Sequence, residues 1–213
     1  MNDIEYLARF ITEDVNHKHI IKESSLSKLY DYATKYDCAI ISANRGNPAD
    51  STNCAGDKLP NLDDVYGRST AVQGQNRRKT KKYTINQTNT AQLKGELQAF
   101  GYVVVPVRGA YLEELSPQVH RRVSENSFFV VNVYDDIQFN HNMSDLGIKY
   151  CQDSVLLSPK GATSAYLVGT NNAEWPGLGG EARLGRLFAG EPEGVQQFHT
   201  RVNDRPFSFR EQN

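Results

Sequence analysis

Apolar residues recur at helical spacing in two early segments. Ile4, Leu7, Ala8 and Ile11 mark 3–12, and Leu26, Leu29, Tyr30 and Ala33 mark 25–36 behind the cap candidates Ser24 and Ser25. Both predict short helices. The run Cys38-Ala39-Ile40-Ile41-Ser42-Ala43 then predicts a strand, closed by the turn signal Asn44-Arg45-Gly46-Asn47-Pro48. From 46 to 85 the chain is rich in Gly, Asn, Asp, Ser and Lys without sustained periodicity, which predicts a long loop insertion. Ala91, Leu93, Leu97 and Phe100 restore a helical face over 86–100, and Gly101 ends it. Tyr102–Val107 and Ser127–Val133 read as strands from their β-branched and aromatic content, with a loop through Glu113, Glu114 and Pro117 between them. A weak helix follows over 135–148. Two strands at 154–157 and 165–168 are joined through Pro159-Lys160-Gly161, and a Gly-rich tail from Asn172 ends in an edge strand at 206–209.

From Cys38 onward this order is strand, helix, strand, strand, helix, strand, the split βαβ or ferredoxin-like pattern of an α+β fold. The expected organisation is one domain over 1–213: N-terminal helices over 1–36, a βαββαβ core over 37–170 carrying the 46–85 insertion, and a C-terminal extension over 171–213. In that topology several strand termini meet at one end of the sheet, and polar residues fall at those junctions. The set is Asn44 and Arg45, then Asn86 and Asn89, Arg108, Tyr111 and Glu113, Glu125 and Asn126, and Gln152 and Asp153. Polar side chains gathered at strand ends are how a rigid scaffold presents a site; they are also the ordinary wet rim of a soluble sheet, and that alternative stays open.

Composition narrows the function classes. With 38% hydrophobic and 23% charged residues over 213 positions, the chain has enough apolar material for a core and is not a disordered polymer. A formal net charge of −1 gives no global attraction to nucleic acid or anionic membrane, so such binding has to come from a local cluster. One exists: Arg77-Arg78-Lys79-Thr80-Lys81-Lys82 places five basic residues in six positions, a field able to neutralise phosphates. The N-terminus lacks a basic start with a continuous apolar segment, and no stretch reaches the roughly 18 apolar residues of a span, so the expected location is the cytoplasm with no membrane partner. Three cysteines without paired spacing, Cys38, Cys54 and Cys151, read as reduced thiols.

The candidate chemistry is sparse. Glu113, Glu125 and Asp153 near Arg45 would suit acid–base work or phosphoryl chemistry, with Asn44, Asn89 and Gln152 as ligand-binding neighbours. No histidine pairs with a cysteine at zinc spacing, so no metal site is expected. Neither a G-x-S-x-G elbow nor a phosphate-cradling glycine loop is present, and no cofactor is implied.

Several of these segments also carry a family likeness. Ala43-Asn44 with Asn47-Pro48, Asn89…Leu93…Leu97…Gly101-Tyr102, Glu125-Asn126-Ser127-Phe128-Phe129-Val130 and Leu146-Gly147…Gln152-Asp153-Ser154-Val155-Leu156 together resemble the bacterial family DUF3293 over about 40–157. That family is uncharacterised, so the resemblance implies no activity. The chain departs from its pattern in the long insertion after Asn47-Pro48, in Ser-Glu-Asn-Ser-Phe for the usual Glu-Pro-Ser-Phe, and in its tail. The tail segments Gly169-Thr170-Asn171…Trp175-Pro176-Gly177 and Arg201–Phe207 resemble hypothetical proteins of phage genomes.

The expectation drawn from all this is a viral, phage-encoded accessory protein. It would engage nucleic acid or a host factor through Arg77, Arg78, Lys79, Lys81 and Lys82 and the adjacent polar end. Two alternatives stay open: an enzyme acting on a nucleotide or other phosphorylated substrate through Arg45, Glu113, Glu125 and Asp153, and an inhibitory or structural interaction module. Oligomeric state has no signature in the sequence.

Overall fold

In Asp37–Ser42 (β1) the side chains alternate between two apolar surroundings: Ala39 and Ile41 face one cluster, Cys38 and Ile40 the other. A strand buried on both faces needs no polar alternation, which is why Cys38–Ile41 is a continuous apolar run. The computed structural model describes residues 26–44, 74–116, 119–161, 164–189, 198–202 and 205–210. The expected helix over 3–12, the turn at Arg45 and most of the 46–85 segment lie outside these residues.

The elements are α1 (Leu26–Lys35), β1, α2 (Gly74–Ala99), β2 (Val103–Ser116), β3 (Val119–Asn132), α3 (Phe139–Lys149), β4 (Ser154–Ser158), β5 (Ala165–Gly169), β6 (Glu181–Ala189), β7 (Phe198–Val202) and β8 (Arg205–Arg210). Strand order is β1-β3-β2-β7-β8-β6-β5-β4, closed because β4 returns to β1. The first four strands therefore lie as β4-β1-β3-β2, all antiparallel to their neighbours. The expected α+β class and ferredoxin-like order hold. The C-terminal strands continue this sheet from β2 round to β4 and close it into a barrel.

Four expectations are corrected. The basic run is helical, since α2 begins at Gly74 and takes in Arg77, Arg78, Lys79, Lys81 and Lys82. Arg and Lys are good helix formers, so a charged stretch without an apolar stripe can extend a helix that is anchored further on by Leu93 and Leu97. The segment through Glu113 and Glu114 is strand, paired with the start of β3 in one long hairpin. Its register sets Glu113 opposite Arg121 and Glu114 opposite His120. The strand near 206–209 is no edge, because β8 pairs with both β6 and β7. Cys151 is disulfide-bonded rather than reduced, while Cys38 is free and buried. Cysteine usage therefore no longer argues for a reducing compartment.

Two clusters fill the two faces. One joins Leu93 and Leu97 of α2 and Phe139, Met143 and Leu146 of α3 to Ala39, Ile41, Val104, Phe128, Val130, Val155 and Leu157. The other joins Leu29 and Ala33 of α1 to Val103, Val105, Phe129, Val131, Leu156 and Leu167. α2 and α3 therefore pack on the sheet face that carries the first cluster, and α1 packs on the face that carries the second. Glu96 ties the outer helices together, accepting hydrogen bonds from Lys149 Nζ at 2.7 Å and Tyr150 Oη at 3.1 Å. Among the described residues no helix is long and apolar enough to cross a membrane.

A polar knot locks the far end of β3. Asn132, fully buried, bonds both polar groups of the Asp136 backbone: its Nδ2 donates to the carbonyl and its Oδ1 accepts from the amide, each at 2.9 Å. Asp136 in turn accepts from Tyr102 Oη and from the Gln138 amide, and Asn142 Nδ2 donates to Tyr102 Oη at 2.7 Å. Burial, then the bond to Asp136, pushes the Tyr102 hydroxyl up to about 12. The same bond, helped by the Gln138 amide, holds Asp136 below the usual carboxylate range.

The signs are opposite. Tyr102 contributes stability in full below the ordinary tyrosine value of 10.0 and loses it as pH rises from there through about 12. Asp136 contributes stability above its ordinary 3.8 and loses it as pH falls through its lowered value. Tyr102→Phe removes one partner and relaxes the other, so it should flatten both the alkaline and the acid limbs of a urea-unfolding stability profile. Limbs as steep as those of the wild type would show that the pair does not couple to folding.

Candidate functional site

At the opposite end of β1, the register sets Val107 and Ser42 opposite Ser127, one row across three strands. Ser42 lies at the end of β1 and is buried. Its Oγ donates to the Asn126 carbonyl at 2.9 Å and accepts from the Asn44 amide at 3.0 Å, pinning the chain as it leaves the sheet. Asn44 is thereby held against α2, where Thr90 Oγ1 lies 3.0 Å from Asn44 Oδ1 and 2.6 Å from the Asn86 carbonyl. One hydroxyl proton serves one of these two acceptors at a time.

From Asn44 the network continues through the start of β4 to the end of β5. Gln152 Nε2 donates to the Asn44 carbonyl at 3.3 Å and to the Tyr150 carbonyl at 3.0 Å. Thr170 Oγ1 donates to the Gln152 carbonyl at 2.6 Å, and the Thr170 amide to the Asp153 carbonyl at 3.1 Å. Asn171 Nδ2 then donates to the Asp153 carboxylate, and Asn171 Oδ1 accepts from the Ala173 amide at 2.7 Å. Thr170 and Asn171 are fully buried and Gln152 nearly so, yet each has partners. Removing one member would leave a buried polar group unsatisfied at about 1–3 kcal/mol, so the network fixes its geometry strongly. Asp153 is exposed, with one oxygen oriented by Asn171. The arrangement sets an exposed aspartate on a rigid, hydrogen-bonded base.

Close packing keeps that base in place. A Cβ on Gly147 of α3 would meet Val155 Cγ2 at 2.6 Å and Thr170 Cγ2 at 2.7 Å, so the helix can approach the β4–β5 ends only with glycine there.

The structure joins Asn44, Gln152 and Asp153 as the shared-end argument expects. Asn89 sits half-buried on α2 beside Thr90. Glu125, half-buried, lies within β3 rather than before it, opposite Gly109. Glu113 is displaced: it lies four residues beyond Gly109 along β2, about 13 Å at the rise of a strand. The proposed catalytic grouping with Glu113 therefore does not assemble, because the segment expected to fold back as a loop extends as hairpin. Arg45 lies outside the described residues. Lys82, the last of the basic run, is eight residues before Thr90 on the same helix, about 12 Å along its axis. Among the described residues no three His, Cys, Asp or Glu side chains gather to hold a metal ion.

Sequence reasoning missed Ser42, Thr90 and Thr170. Small hydroxyl residues next to apolar runs look like ordinary strand and helix ends, and only the three-dimensional register shows that they bridge.

Residues 76–207, more than half of the chain, match the model of the S-adenosylmethionine lyase family. The chain belongs to that family. The match runs from α2 to β8 and includes Gln152, Asp153, Thr170 and Asn171. It overturns the description of the chain as a viral, phage-encoded protein of an uncharacterised family: the family carries a named reaction, and nothing in its match is viral. No curated protein matches the chain.

Proposed function

We propose that this protein is a lyase that cleaves a carbon–sulfur bond of S-adenosylmethionine, and that the Asn44–Gln152–Asp153–Asn171 end of the sheet carries the site. The observation behind this reading is the family match over 76–207. The substrate chemistry is compatible with so simple a polar set. A sulfonium sulfur already carries the positive charge, so when its C–S bond breaks the electron pair returns to sulfur and a neutral thioether leaves. No general acid has to protonate the leaving group. The carbon fragment completes its valence by losing a proton or closing on an internal nucleophile, with no water added.

What the protein supplies in such a reaction is position and charge. Asp153 offers an oriented carboxylate for the cationic sulfonium or the substrate ammonium group, Asn171 holds that carboxylate and the Ala173 amide, and the Asn44 carbonyl anchors the Gln152 side chain. The role expected for the 77–82 run in binding nucleic acid or a host factor is a separate property on which the family match has no bearing.

Incubation of the full-length protein with S-adenosylmethionine, followed by mass spectrometry, tests the reading. The expected result is time-dependent loss of substrate with a thioether product whose mass identifies the broken bond. Intact substrate after prolonged incubation, or a demethylated product alone, would sink the proposal.

A further inference from the structure

The chain between Thr170 and Gly180 is a closed loop on the end of β5. The Gly169 amide donates to the Gly180 carbonyl at 2.8 Å, the Gly179 amide to the Gly169 carbonyl at 2.9 Å, and the Gly180 amide to the Gly177 carbonyl at 2.9 Å. Gly177 and Gly179 take φ values of +78° and +72°, and neither Gly169 nor Gly180 has room for a side chain against the facing backbone.

This frame presents two large apolar side chains to solvent: Trp175 is 51% and Leu178 52% exposed. Its base is continuous with the candidate site, because Asn171 bonds both Asp153 and the Ala173 amide. A half-exposed tryptophan on a loop whose base is tied through Asn171 to an oriented carboxylate suits a ligand that has both a flat aromatic part and a positive charge. S-Adenosylmethionine has both. An indole face stacks on a purine, and Trp is the best of the aromatic side chains for a neighbouring cation.

We propose that Trp175 is the stacking platform for the adenine of the substrate, a reading that rests on the proposed lyase function. The loop positions the base through Trp175 while Asp153 faces the charged end. Trp175 is a binding and positioning residue; it takes no part in bond cleavage.

Trp175 is the only tryptophan in the chain, so tryptophan emission reports on the surroundings of this side chain. Titration of the full-length protein with adenosine is expected to quench that emission saturably. Trp175→Ala should raise the KM for S-adenosylmethionine roughly 5- to 100-fold with kcat changed less than about 3-fold, in line with the cost of losing one base–aromatic stack. Trp175→Phe should recover most of the lost affinity. Emission unmoved by saturating adenosine, or turnover with an unchanged KM in Trp175→Ala, would overturn the platform and leave the lyase reading standing. Absence of turnover in the wild type would instead defeat the lyase reading; adenosine quenching then decides the platform alone, saturable quenching upholding it and flat emission overturning it.

Discussion

Gly169→Ala is expected to lower the melting temperature by roughly 6–12 °C, the largest stability effect of any single methyl group added near the site. The added carbon falls against the Gly177 carbonyl, and that carbonyl cannot swing away freely because it accepts the Gly180 amide. Overpacking of this kind costs about 1–3 kcal/mol, and contact with backbone puts it at or above the upper end. For a chain of about 200 residues each kcal/mol moves the midpoint by about 2–4 °C. Gly161→Ala is the control: Gly161 also has a positive φ, +79°, but nothing lies within 4 Å of its added carbon. It should cost only the backbone strain, about 1 kcal/mol. Thermal melts followed by circular dichroism measure both. Equal shifts in the two variants would mean that the 170–180 loop yields without resistance and is not a stiff frame.

The second large effect concerns catalysis. Asp153→Asn should reduce kcat/KM for S-adenosylmethionine about 10- to 100-fold, about 1–3 kcal/mol, while the melting temperature moves by less than about 2 °C. The asparagine keeps an oxygen able to accept from Asn171 Nδ2, so the network survives and only the charge is lost. The estimate sits below the 2–5 kcal/mol seen for buried charge pairs because Asp153 is exposed and water screens it. A variant as active as the wild type would remove Asp153 from the site.

Much of this architecture is legible in the sequence, and the illegible parts share a cause. β1, β4 and β5 announce themselves because Cys38–Ile41, Val155–Leu157 and Ala165–Leu167 are buried or packed against the core and therefore apolar. The distal arm of the β2–β3 hairpin does not, since its residues pair across the ladder as Glu113 with Arg121 and Leu112 with Arg122, a pattern that reads as a solvated loop. The first turns of α2 are hidden in the same way by their lysines and arginines. β6 to β8 lack any long apolar run, and Gly185 sits at φ +86° beside an irregular register between β5 and β6. Of the site, Asn44, Gln152 and Asp153 were visible as polar residues at strand ends. Glu113 was misplaced because its strand was not foreseen, and Thr170 and Asn171 carry no signal until β5 is set beside β4.

The barrel's closure has a consequence for how the molecule can be divided. β1 is the strand that seals β3 to β4, yet it lies upstream of the 76–207 region that the family model covers. A fragment trimmed to that region would leave β3 and β4 each with a row of unpaired amides and carbonyls along Phe128–Val131 and Leu156–Leu157. Such bare apolar edges recruit strands from other chains. Cutting the protein at the limits of its recognisable sequence would thus turn a closed, self-satisfied sheet into a template for aggregation.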